Sequence, residues 1–343
     1  MTTVLTEPLG SGHRTRPGRP LRSAVEVLTS PRFGPVIITA VLFAVMFGLG
    51  GGLYEGFMSP QVFVNLFVDN AYLLVLAVGM TFVILSGGID LSVGAVVALS
   101  TVVAARLLQA GTGPGVVILV VLVMAGVLGL LVGLMIHVFG VQPFIATLAA
   151  MFLARGLCYV IAPQSISITD PVFTAMAQVQ VPLGGTVTIS ASALLALAVV
   201  GVAFLVLRYT RFGRTVYALG GSESSGMLMG LPVGRTKVLV YVVSGFCSGI
   251  AGVLFSFYTL SGYSLTAVGT ELDAIAAVVI GGTLLTGGYG YVLGSVLGVL
   301  VLGTIQTIIT FQGTLSSWWT KIFIGALLLV FIILQKVLTR RRT

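Results

Sequence analysis

Apolar runs of about 20 residues alternate with short polar segments over most of the chain. A helix needs ~20 apolar residues to cross the ~30 Å hydrocarbon core of a bilayer, so each run predicts one membrane-spanning helix. The pattern therefore predicts an all-α, polytopic integral membrane helix bundle with about ten transmembrane helices. The predicted spans cover residues 35–53, 63–85, 91–108, 115–138, 142–162, 189–208, 238–260, 272–288, 290–311 and 319–338.

The composition excludes an ordinary water-soluble enzyme. Of the 343 residues, 57% are hydrophobic and only 8% are charged, whereas a soluble domain carries about 25% charged residues. The chain is therefore expected to fold as one integral membrane domain. Glycine is abundant, and Gly126, Gly129 and Gly133 share one run, a spacing that predicts close approach of helix backbones in lipid.

Basic residues give the predicted orientation in the membrane. The net charge is +8, and of 17 Lys and Arg residues five precede Gly34, five lie from Arg208 to Lys237 and four follow Gln335. Short basic segments stay on the cytoplasmic side, and an even number of spans puts both termini there. The charge indicates a lipid bilayer and not a nucleic acid, because no basic stripe interleaved with aromatic residues accompanies it.

The spans also predict the domain organisation. Residues 1–34, which are polar and rich in proline, are expected to form a disordered cytoplasmic tail. Residues 35–338 form the transmembrane domain, with an extracytoplasmic loop at 163–188 and a cytoplasmic loop at 209–237. Residues 339–343 form a basic cytoplasmic tail. Alternating apolar and polar residues in the 163–188 loop predict a small structured cap.

The segment SGGIDLSVG, residues 86–94, places a carboxyl group between two apolar runs. A charged side chain at this depth is costly, so Asp90 is expected to face the bundle interior or a cavity. Gly87 and Gly88 predict a broken helix, which is tolerated at membrane depth only where it lines protein or water. An alternative is a tight hairpin in which Asp90 caps a helix that begins at Leu91, and the two interpretations are compatible.

A second cluster of glycines and polar residues covers 270–295, and Glu271 and Asp273 are its only charged residues. Glycine-interrupted segments in the two halves of a transporter point to the transport pathway. The two carboxyl groups are therefore candidates for the lining or the support of such a pathway.

The cytoplasmic loop contains a short amphipathic segment, Ser222–Met229, with glycines before it and Gly230 and Pro232 after it. We expect one short helix along the membrane face, which either docks a partner or belongs to an ordinary basic loop. No GxxxxGK[ST] motif surrounds any lysine, so no phosphate-binding loop is predicted. If transport is active, its energy is expected to come from another subunit.

Three segments in the same order resemble one family. SGGIDLSVG at 86–94, FGRTVYALGG at 212–221 and ELDAIAAVVIGGTLLTGG at 271–288 are similar to the permease subunits of bacterial ATP-binding-cassette (ABC) sugar importers of the ribose type. The resemblance extends over nearly all of the chain after residue 35. The segments GYSLTAVGTELDAIAAVVIGG and FQGTLSSWWTKI are similar to one of the two permeases of galactofuranose importers.

The resemblance implies a transport subunit that is not itself an enzyme. It would form half of the translocation path for a monosaccharide such as galactofuranose or ribose in the bacterial cytoplasmic (inner) membrane. The implied partners are a second homologous permease, in a heterodimer more than in a homodimer, cytoplasmic ABC ATPase subunits, an extracytoplasmic sugar-binding protein, the sugar and the lipid bilayer. The chain would bind no cofactor or metal, and the partner ATPase would use ATP and Mg²⁺.

Two sets of functional residues follow. The side chains assigned to the translocation path are Ser86, Asp90, Ser92, Asn65, Asp69, Asn70, Glu271 and Asp273. The residues assigned to ATPase coupling are Gly221, Ser222, Glu223, Ser224, Ser225, Gly226, Met227, Leu228, Met229, Gly230 and Leu231. The family commonly has an asparagine and an alanine pair in the coupling helix, where this chain has Ser222 and then Ser225 with Gly226, so we expect a looser helix.

The main alternative is an autonomous secondary transporter or uniporter for a small polar solute, because glycine-broken spans suit it equally well. The two functions differ in the cytoplasmic loop. This loop must bind an ATPase in the importer, and it has no such role in an autonomous transporter.

Overall fold

A computed structural model describes residues 34–316 and 318–340, with only the backbone described for 334–340. Helices dominate this part, and four short strands form two antiparallel pairs. The helices are α1 (Gly34–Leu53), α2 (Pro60–Asp69), α3 (Ala71–Leu85), α4 (Val93–Gln109), α5 (Pro114–Val138), α6 (Pro143–Ile161), α7 (Pro171–Gln178), α8 (Ala191–Tyr209), α9 (Arg211–Gly221), α10 (Glu223–Leu228), α11 (Val233–Thr259), α12 (Thr270–Ile280), α13 (Val292–Gln312) and α14 (Trp318–Arg340). The strands are β1 (Ile166–Ser167), β2 (Gln180–Gly184), β3 (Val187–Ser190) and β4 (Ser261–Gly262).

Six of the described helices are long and apolar enough to cross a membrane, namely α1, α5, α6, α8, α11 and α13. The pair α2 and α3 passes the same test together, with a bend of 57° between them. Helix α4 and residues 318–333 of α14 are shorter apolar helices. The predicted helical membrane bundle is confirmed, while the count of about ten spans and the cytoplasmic termini stay predictions. The predicted tails lie outside the described residues, apart from Gly34 and the backbone of 339–340.

Two predicted spans are not single straight helices. The run 63–85 divides at Asn70, whose backbone leaves the helical conformation with φ −108° and ψ 17°. The run 272–288 is helical only as far as Ile280. Gly282 and Gly287 beyond it have φ of 91° and 85°, and a right-handed helix cannot continue through such left-handed backbone. The prediction of one helix over 272–288 is therefore wrong.

Helix α3 lies at the centre of the bundle. Every residue of α3 except Tyr72 is buried, as expected of a helix that is apolar on all sides. Helices α8, α11, α12 and α13 pack against it, and α11 also packs against α4 and α5. Both ends of α3, at the Asn70 bend and at Ser86, therefore abut other helices.

Small residues bring the backbones of α5 and α11 together. A Cβ atom on Gly129 would overlap the carbonyl oxygen of Tyr241, and one on Gly133 would lie 2.9 Å from the Cα atom of Val238. Close van der Waals packing of this kind stabilises helix association in lipid, where the hydrophobic effect does not act between helices. Among the described residues nothing lies within 4 Å of a Cβ atom on Gly126, so Gly126 does not take part in the contact between α5 and α11.

The loop predicted at 163–188 is a structured cap, as expected. Strand β1 pairs with β4, with Ile166 opposite Gly262, and β2 pairs with β3 in a hairpin. Helix α7 carries Phe173, whose ring packs edge-on against Phe257 of α11 at a centroid distance of 4.8 Å. The cap extends two residues further than predicted, because Ser190 caps α8 by accepting a hydrogen bond from the amide of Ala193. These contacts fasten the cap to the end of α11.

Replacing Gly129 by alanine is expected to lower the thermal unfolding temperature of the detergent-solubilised protein. The added methyl group overlaps the Tyr241 carbonyl oxygen, and overpacking of this kind costs ~1–3 kcal/mol. Gly126→Ala on the same helix is the matched control and should keep or slightly raise the temperature, because alanine favours helix over glycine. Size-exclusion chromatography after heating measures both variants, and equal temperatures would contradict the close contact.

Candidate translocation path and coupling segment

The first helix interruption, residues 86–92, separates α3 from α4. The amide of Gly87 donates to the carbonyl of Ile84 at 2.9 Å, and the amide of Gly88 donates to the carbonyl of Val83 at 3.0 Å. The Ser86 hydroxyl also donates to the Val83 carbonyl, at 2.7 Å. The break predicted at the two glycines is present, and its backbone bonds to the last turn of α3.

The Asp90 carboxyl group links this interruption to α4 and α11. Asp90 is only 3% exposed. Its Oδ1 atom accepts hydrogen bonds from the Ser92 amide at 2.9 Å and the Ser92 hydroxyl at 2.6 Å, and its Oδ2 atom accepts one from the Ser244 hydroxyl at 2.7 Å. Asp90 is therefore buried in the bundle interior, as the first interpretation expects, but it is not the N-cap of α4, because that position is Ser92. Helix α4 begins at Val93, two residues later than Leu91.

Tyr241 lies on α11 about one turn before Ser244, with its hydroxyl group against Gly88. A Cβ atom on Gly88 would overlap Tyr241 Oη. Tyr241 is buried, and its Oη atom has no hydrogen-bond partner within the described part of the chain. Buried polar groups are normally satisfied by protein or by ordered water. The Tyr241 hydroxyl group is therefore a buried donor that packs against the first interruption.

Glu271 contacts the same end of α4 from another direction. It lies in the first turn of α12, and a Cβ atom on Gly94 would overlap its Oε2 atom. Gly94 follows Asp90 by four residues, so the structure brings these two predicted carboxyl groups to one end of α4. The Oε2 atom is buried and has no hydrogen-bond partner among the described residues.

Two basic residues hold the segment that leads into α12. Arg155 on α6 donates from Nη1 to the carbonyl oxygens of Ser264 and Thr266, at 2.6 and 2.7 Å. Lys321 on α14 forms an ion pair with Asp273, 2.6 Å between Nζ and Oδ2. Asp273 therefore has an ion-pair partner, whereas Glu271 Oε2 accepts no hydrogen bond from any described residue.

The polar residues of α2 do not join this cluster. Asn65 accepts a hydrogen bond from the Gln61 side chain at 2.7 Å, Asp69 is exposed, and the Asn70 side chain donates to the Leu66 carbonyl at 3.0 Å. The 15 residues of α3 separate Asn70 from Ser86 by ~22 Å at 1.5 Å per residue. Asn65, Asp69 and Asn70 therefore belong to the opposite end of α3 from Asp90.

Sequence reasoning missed four residues of this region. Arg155 and Lys321 could have been predicted as functional residues, because a charged residue within a predicted span is rare and points to function. Ser244 and Tyr241 could not have been predicted in this way, since serine and tyrosine are common in membrane helices. Only the fold shows that α11 brings both of them to Asp90.

The coupling segment contains the short helix predicted at Ser222–Met229, which is α10, and α9 precedes it as a helix that was not predicted. Helix α9 buries one face, with Val216 and Leu219 inward. Ser222 ends α9 and starts α10, because its hydroxyl accepts a hydrogen bond from the Ser225 amide at 3.2 Å. Helix α11 begins at Val233, directly after Pro232, so the last five residues of the predicted loop 209–237 are helical.

Helix α10 presents an apolar tip to solvent. Leu228 is 90% exposed and Met229 is 68% exposed. The other side of α10 is tied to α11 by an ion pair of 2.5 Å between Glu223 and Lys237. A Cβ atom on Gly226 would make an ordinary contact, 3.4 Å from Val233, so an alanine fits there. The expectation of a looser helix stays a prediction.

The second interruption, residues 281–291, meets the first one at the end of α9. We call the contact of Gly87, Gly220, Gly287 and Gly288 the glycine junction. The Gly288 amide donates to the Leu85 carbonyl at 2.9 Å. A Cβ atom on Gly220 would overlap that same carbonyl oxygen, and one on Gly287 would lie 2.8 Å from the Gly87 nitrogen.

One side chain of α9 reinforces the glycine junction. The Tyr217 hydroxyl donates to the Gly290 carbonyl at 2.8 Å. Gly287 and Gly288 have φ of 85° and 74°, which residues with a Cβ atom rarely adopt. Helix α9 is thus wedged against both interruptions, with backbone in direct contact with backbone.

The chain matches one protein-family model over residues 62–332, a range that includes both interruptions and the coupling segment. That family is described as the permease component of branched-chain amino acid transport systems. The chain belongs to this permease family. No solved structure matches the chain.

Curated relatives cover most of the permease. It is 47% identical to the inner membrane ABC transporter permease protein YjfF of Escherichia coli (strain K12), over 89% of this chain and 92% of the relative. It is 42% identical to the fructose import permease protein FruG of Bifidobacterium longum (strain NCC 2705), over 88% and 90%. It is 36% identical to the ribose import permease protein RbsC of Haemophilus influenzae (strain ATCC 51907 / DSM 11121 / KW20 / Rd), over 83% and 88%.

These matches confirm the resemblance to ABC sugar permeases that three short segments indicated. The names of these relatives refer to the import of fructose and of ribose, and none refers to galactofuranose. Together with the six long apolar helices, the family places the permease in the inner membrane as a multi-pass transport protein.

Gly220→Ala is expected to open the glycine junction. The methyl group overlaps the Leu85 carbonyl oxygen, so the hydrogen bond from the Gly288 amide must lengthen or break. Hydrogen–deuterium exchange followed by mass spectrometry should show faster exchange in peptides that cover residues 284–290. Gly201→Ala, in a helix where nothing lies within 4 Å of the new Cβ atom, is the control. Unchanged exchange in Gly220→Ala would contradict the contact.

Proposed function

We propose that the permease is the membrane subunit of an ATP-driven importer for a monosaccharide, and that it forms half of the translocation path. The observation that carries this proposal is the exposed apolar tip of α10, because α10 follows directly on α9, the helix that contacts both helix interruptions. The permease itself catalyses no reaction, and the ATP and Mg²⁺ are used by a partner ATPase.

The ATPase contact is assigned to Gly221–Leu231. Exposed apolar patches on a folded protein commonly mark sites of protein interaction. Met227, Leu228 and Met229 form such a patch at the end of α10, while the ion pair between Glu223 and Lys237 fixes the base of the helix. A knob with an apolar tip and an anchored base suits insertion into a groove of a cytoplasmic subunit.

The route from the ATPase to the path is assigned to α9 and the glycine junction. Contacts between backbone atoms have little free space, so a displacement of α9 must move the neighbouring segments. Gly220 touches the end of α3 and Tyr217 bonds to Gly290. One movement of the coupling segment would therefore displace both interruptions together.

The path is assigned to the polar groups that the interruptions expose to the bundle interior. The Asp90 carboxyl group, the hydroxyl groups of Ser92, Ser244 and Tyr241, and the carboxyl group of Glu271 offer the hydrogen-bonding chemistry that a sugar requires. ATP drives transport only if the states that open outward and inward differ in their affinity for the partners. Asp90 bridges α4 and α11, so it is suited to stabilise one of these states.

The substrate is proposed to be galactofuranose, ribose or a similar monosaccharide, because the relatives carry names for fructose, ribose and allose import. Specificity would reside mainly in an extracytoplasmic sugar-binding protein that docks on the cap. A second homologous permease, in a heterodimer more than in a homodimer, would supply the other half of the path.

Leu228→Glu is expected to abolish association with the ATPase, because it places a charge at the centre of the apolar tip. The measurement is co-purification of the ATPase with the tagged permease in mild detergent, together with ATP-dependent sugar uptake in proteoliposomes. Leu183→Glu, an exposed leucine in the cap on the opposite side, should retain both. Retained uptake by Leu228→Glu without bound ATPase would instead support the autonomous secondary transporter or uniporter.

Asp90→Asn is expected to lower the rate of sugar uptake about tenfold or more at normal protein level. The amide can keep the bonds from Ser92 but cannot accept from Ser244 through its nitrogen, and a hydrogen bond to a charged group is worth ~1.5–3 kcal/mol. The affinity of the binding protein for sugar should not change. Ser92→Ala and Ser244→Ala then identify which bond matters, and uptake at the wild-type rate in Asp90→Asn would remove Asp90 from the path.

A further inference from the structure

A cavity of about 650 Å³ opens where α1, α8 and α13 end on the predicted cytoplasmic side. It lies between the start of α1, the end of α8, α9 and the loop before α13. Its lining combines arginines, tyrosines and apolar side chains. Its volume is in the range of small-molecule sites, ~300–1,000 Å³. We call it the arginine cavity.

Two arginines line the arginine cavity, and neither forms an ion pair within the described part of the chain. Arg208 ends α8 and Arg214 lies in α9, and both side chains are exposed. The ion pairs formed within the described residues join Lys237 to Glu223 and Lys321 to Asp273. Arginine presents a planar set of donors that matches phosphate groups. The pair therefore forms a site for an anion.

The wall beside these arginines is apolar and faces away from the bundle. Phe204 on α8 is 39% exposed and Leu293 on α13 is 54% exposed. Phe204 precedes Arg208 by four residues on α8, so the apolar side chain and the cation follow one another along one face of the helix. A molecule that fills the cavity must be apolar on the membrane side and anionic at its end.

The charge distribution decides between possible occupants. The 33 residues before α1 carry five arginines and two glutamates, so that segment would add positive charge to a positive site. A second copy of this chain would bring the same excess of arginine to the same level of the membrane. Free phosphate would satisfy the arginines but leave the apolar wall uncovered. An anionic phospholipid satisfies both requirements.

We propose that the arginine cavity binds an anionic phospholipid of the cytoplasmic leaflet. The phosphate group contacts Arg208 and Arg214, and an acyl chain lies along Phe204 and Leu293. Tyr217 and Gly290 also line the cavity, so the bound lipid lies beside the hydrogen bond that connects α9 to the second interruption. The site does not depend on which solute is transported.

The test uses the purified full-length permease in detergent and native mass spectrometry with added phosphatidylglycerol, phosphatidylcholine or inorganic phosphate. Phosphatidylglycerol should be retained in preference to phosphatidylcholine. The double variant Arg208→Gln and Arg214→Gln should weaken phosphatidylglycerol binding about tenfold or more, since each basic residue near anionic lipid contributes to the attraction. Phe204→Ser should weaken the binding of the lipid without changing any interaction with phosphate.

The matched control is the double variant Arg211→Gln and Arg235→Gln, which removes the same charge from the same predicted side of the membrane. It should retain phosphatidylglycerol at the wild-type level. Equal losses in both double variants would show a general attraction and overturn the site. Phosphate binding without lipid preference would also overturn it, as would binding of a peptide that covers residues 1–33 in place of lipid. Folding of each variant is checked by its elution from size-exclusion chromatography.

Discussion

Backbone amides and carbonyls at membrane depth must find hydrogen-bond partners inside the protein, because hydrocarbon offers none. In the permease, residues 86–92 and 281–291 interrupt the helices, and these two interruptions supply hydrogen-bond partners where they meet at the end of α3. The Gly288 amide bonds to the Leu85 carbonyl, so the second loop completes the end of the central helix. This hydrogen bond requires the backbones to be in contact, and only glycines leave enough space for that contact at the glycine junction. The contact in turn positions α9, and through α9 it positions the coupling segment.

Two charged side chains within the bundle likewise have hydrogen-bond partners inside the protein. Asp90 satisfies three donors, and Arg155 satisfies two carbonyl groups. Each of these side chains joins two parts of the bundle that a single apolar contact would leave free to slide. Two atoms that have no hydrogen-bond partner among the described residues, Tyr241 Oη and Glu271 Oε2, lie close to these same charges. A buried donor or acceptor that makes no hydrogen bond destabilises the fold, and its retention is typical of a functional site.

Much of the fold could be predicted because the membrane leaves a strong pattern in sequence. Long apolar runs identified the helices, and the cost of a carboxyl group in lipid singled out Asp90. The predicted span continued past the end of α12, because Leu284 and Leu285 extend the apolar run beyond Gly281 and Gly282, whereas the positive φ at Gly282 and Gly287 ends the helix. The hydrogen bond between Asp90 and Ser244 could not be predicted either, because Ser244 is 154 residues away in the chain. Contacts over such distances depend on packing and not on local composition.

Helix α11 runs unbroken for 27 residues, which is ~40 Å at 1.5 Å per residue and exceeds the ~30 Å hydrocarbon core. It starts beside the ion pair of Lys237, bonds to Asp90 in its middle and ends at the strand that pairs with the cap. An α-helix without a kink is stiff along its axis, so α11 acts as a strut between the two faces of the membrane. One continuous helix therefore connects the cap to the base of α10, so a displacement of one end of α11 along its axis is shared by the other end.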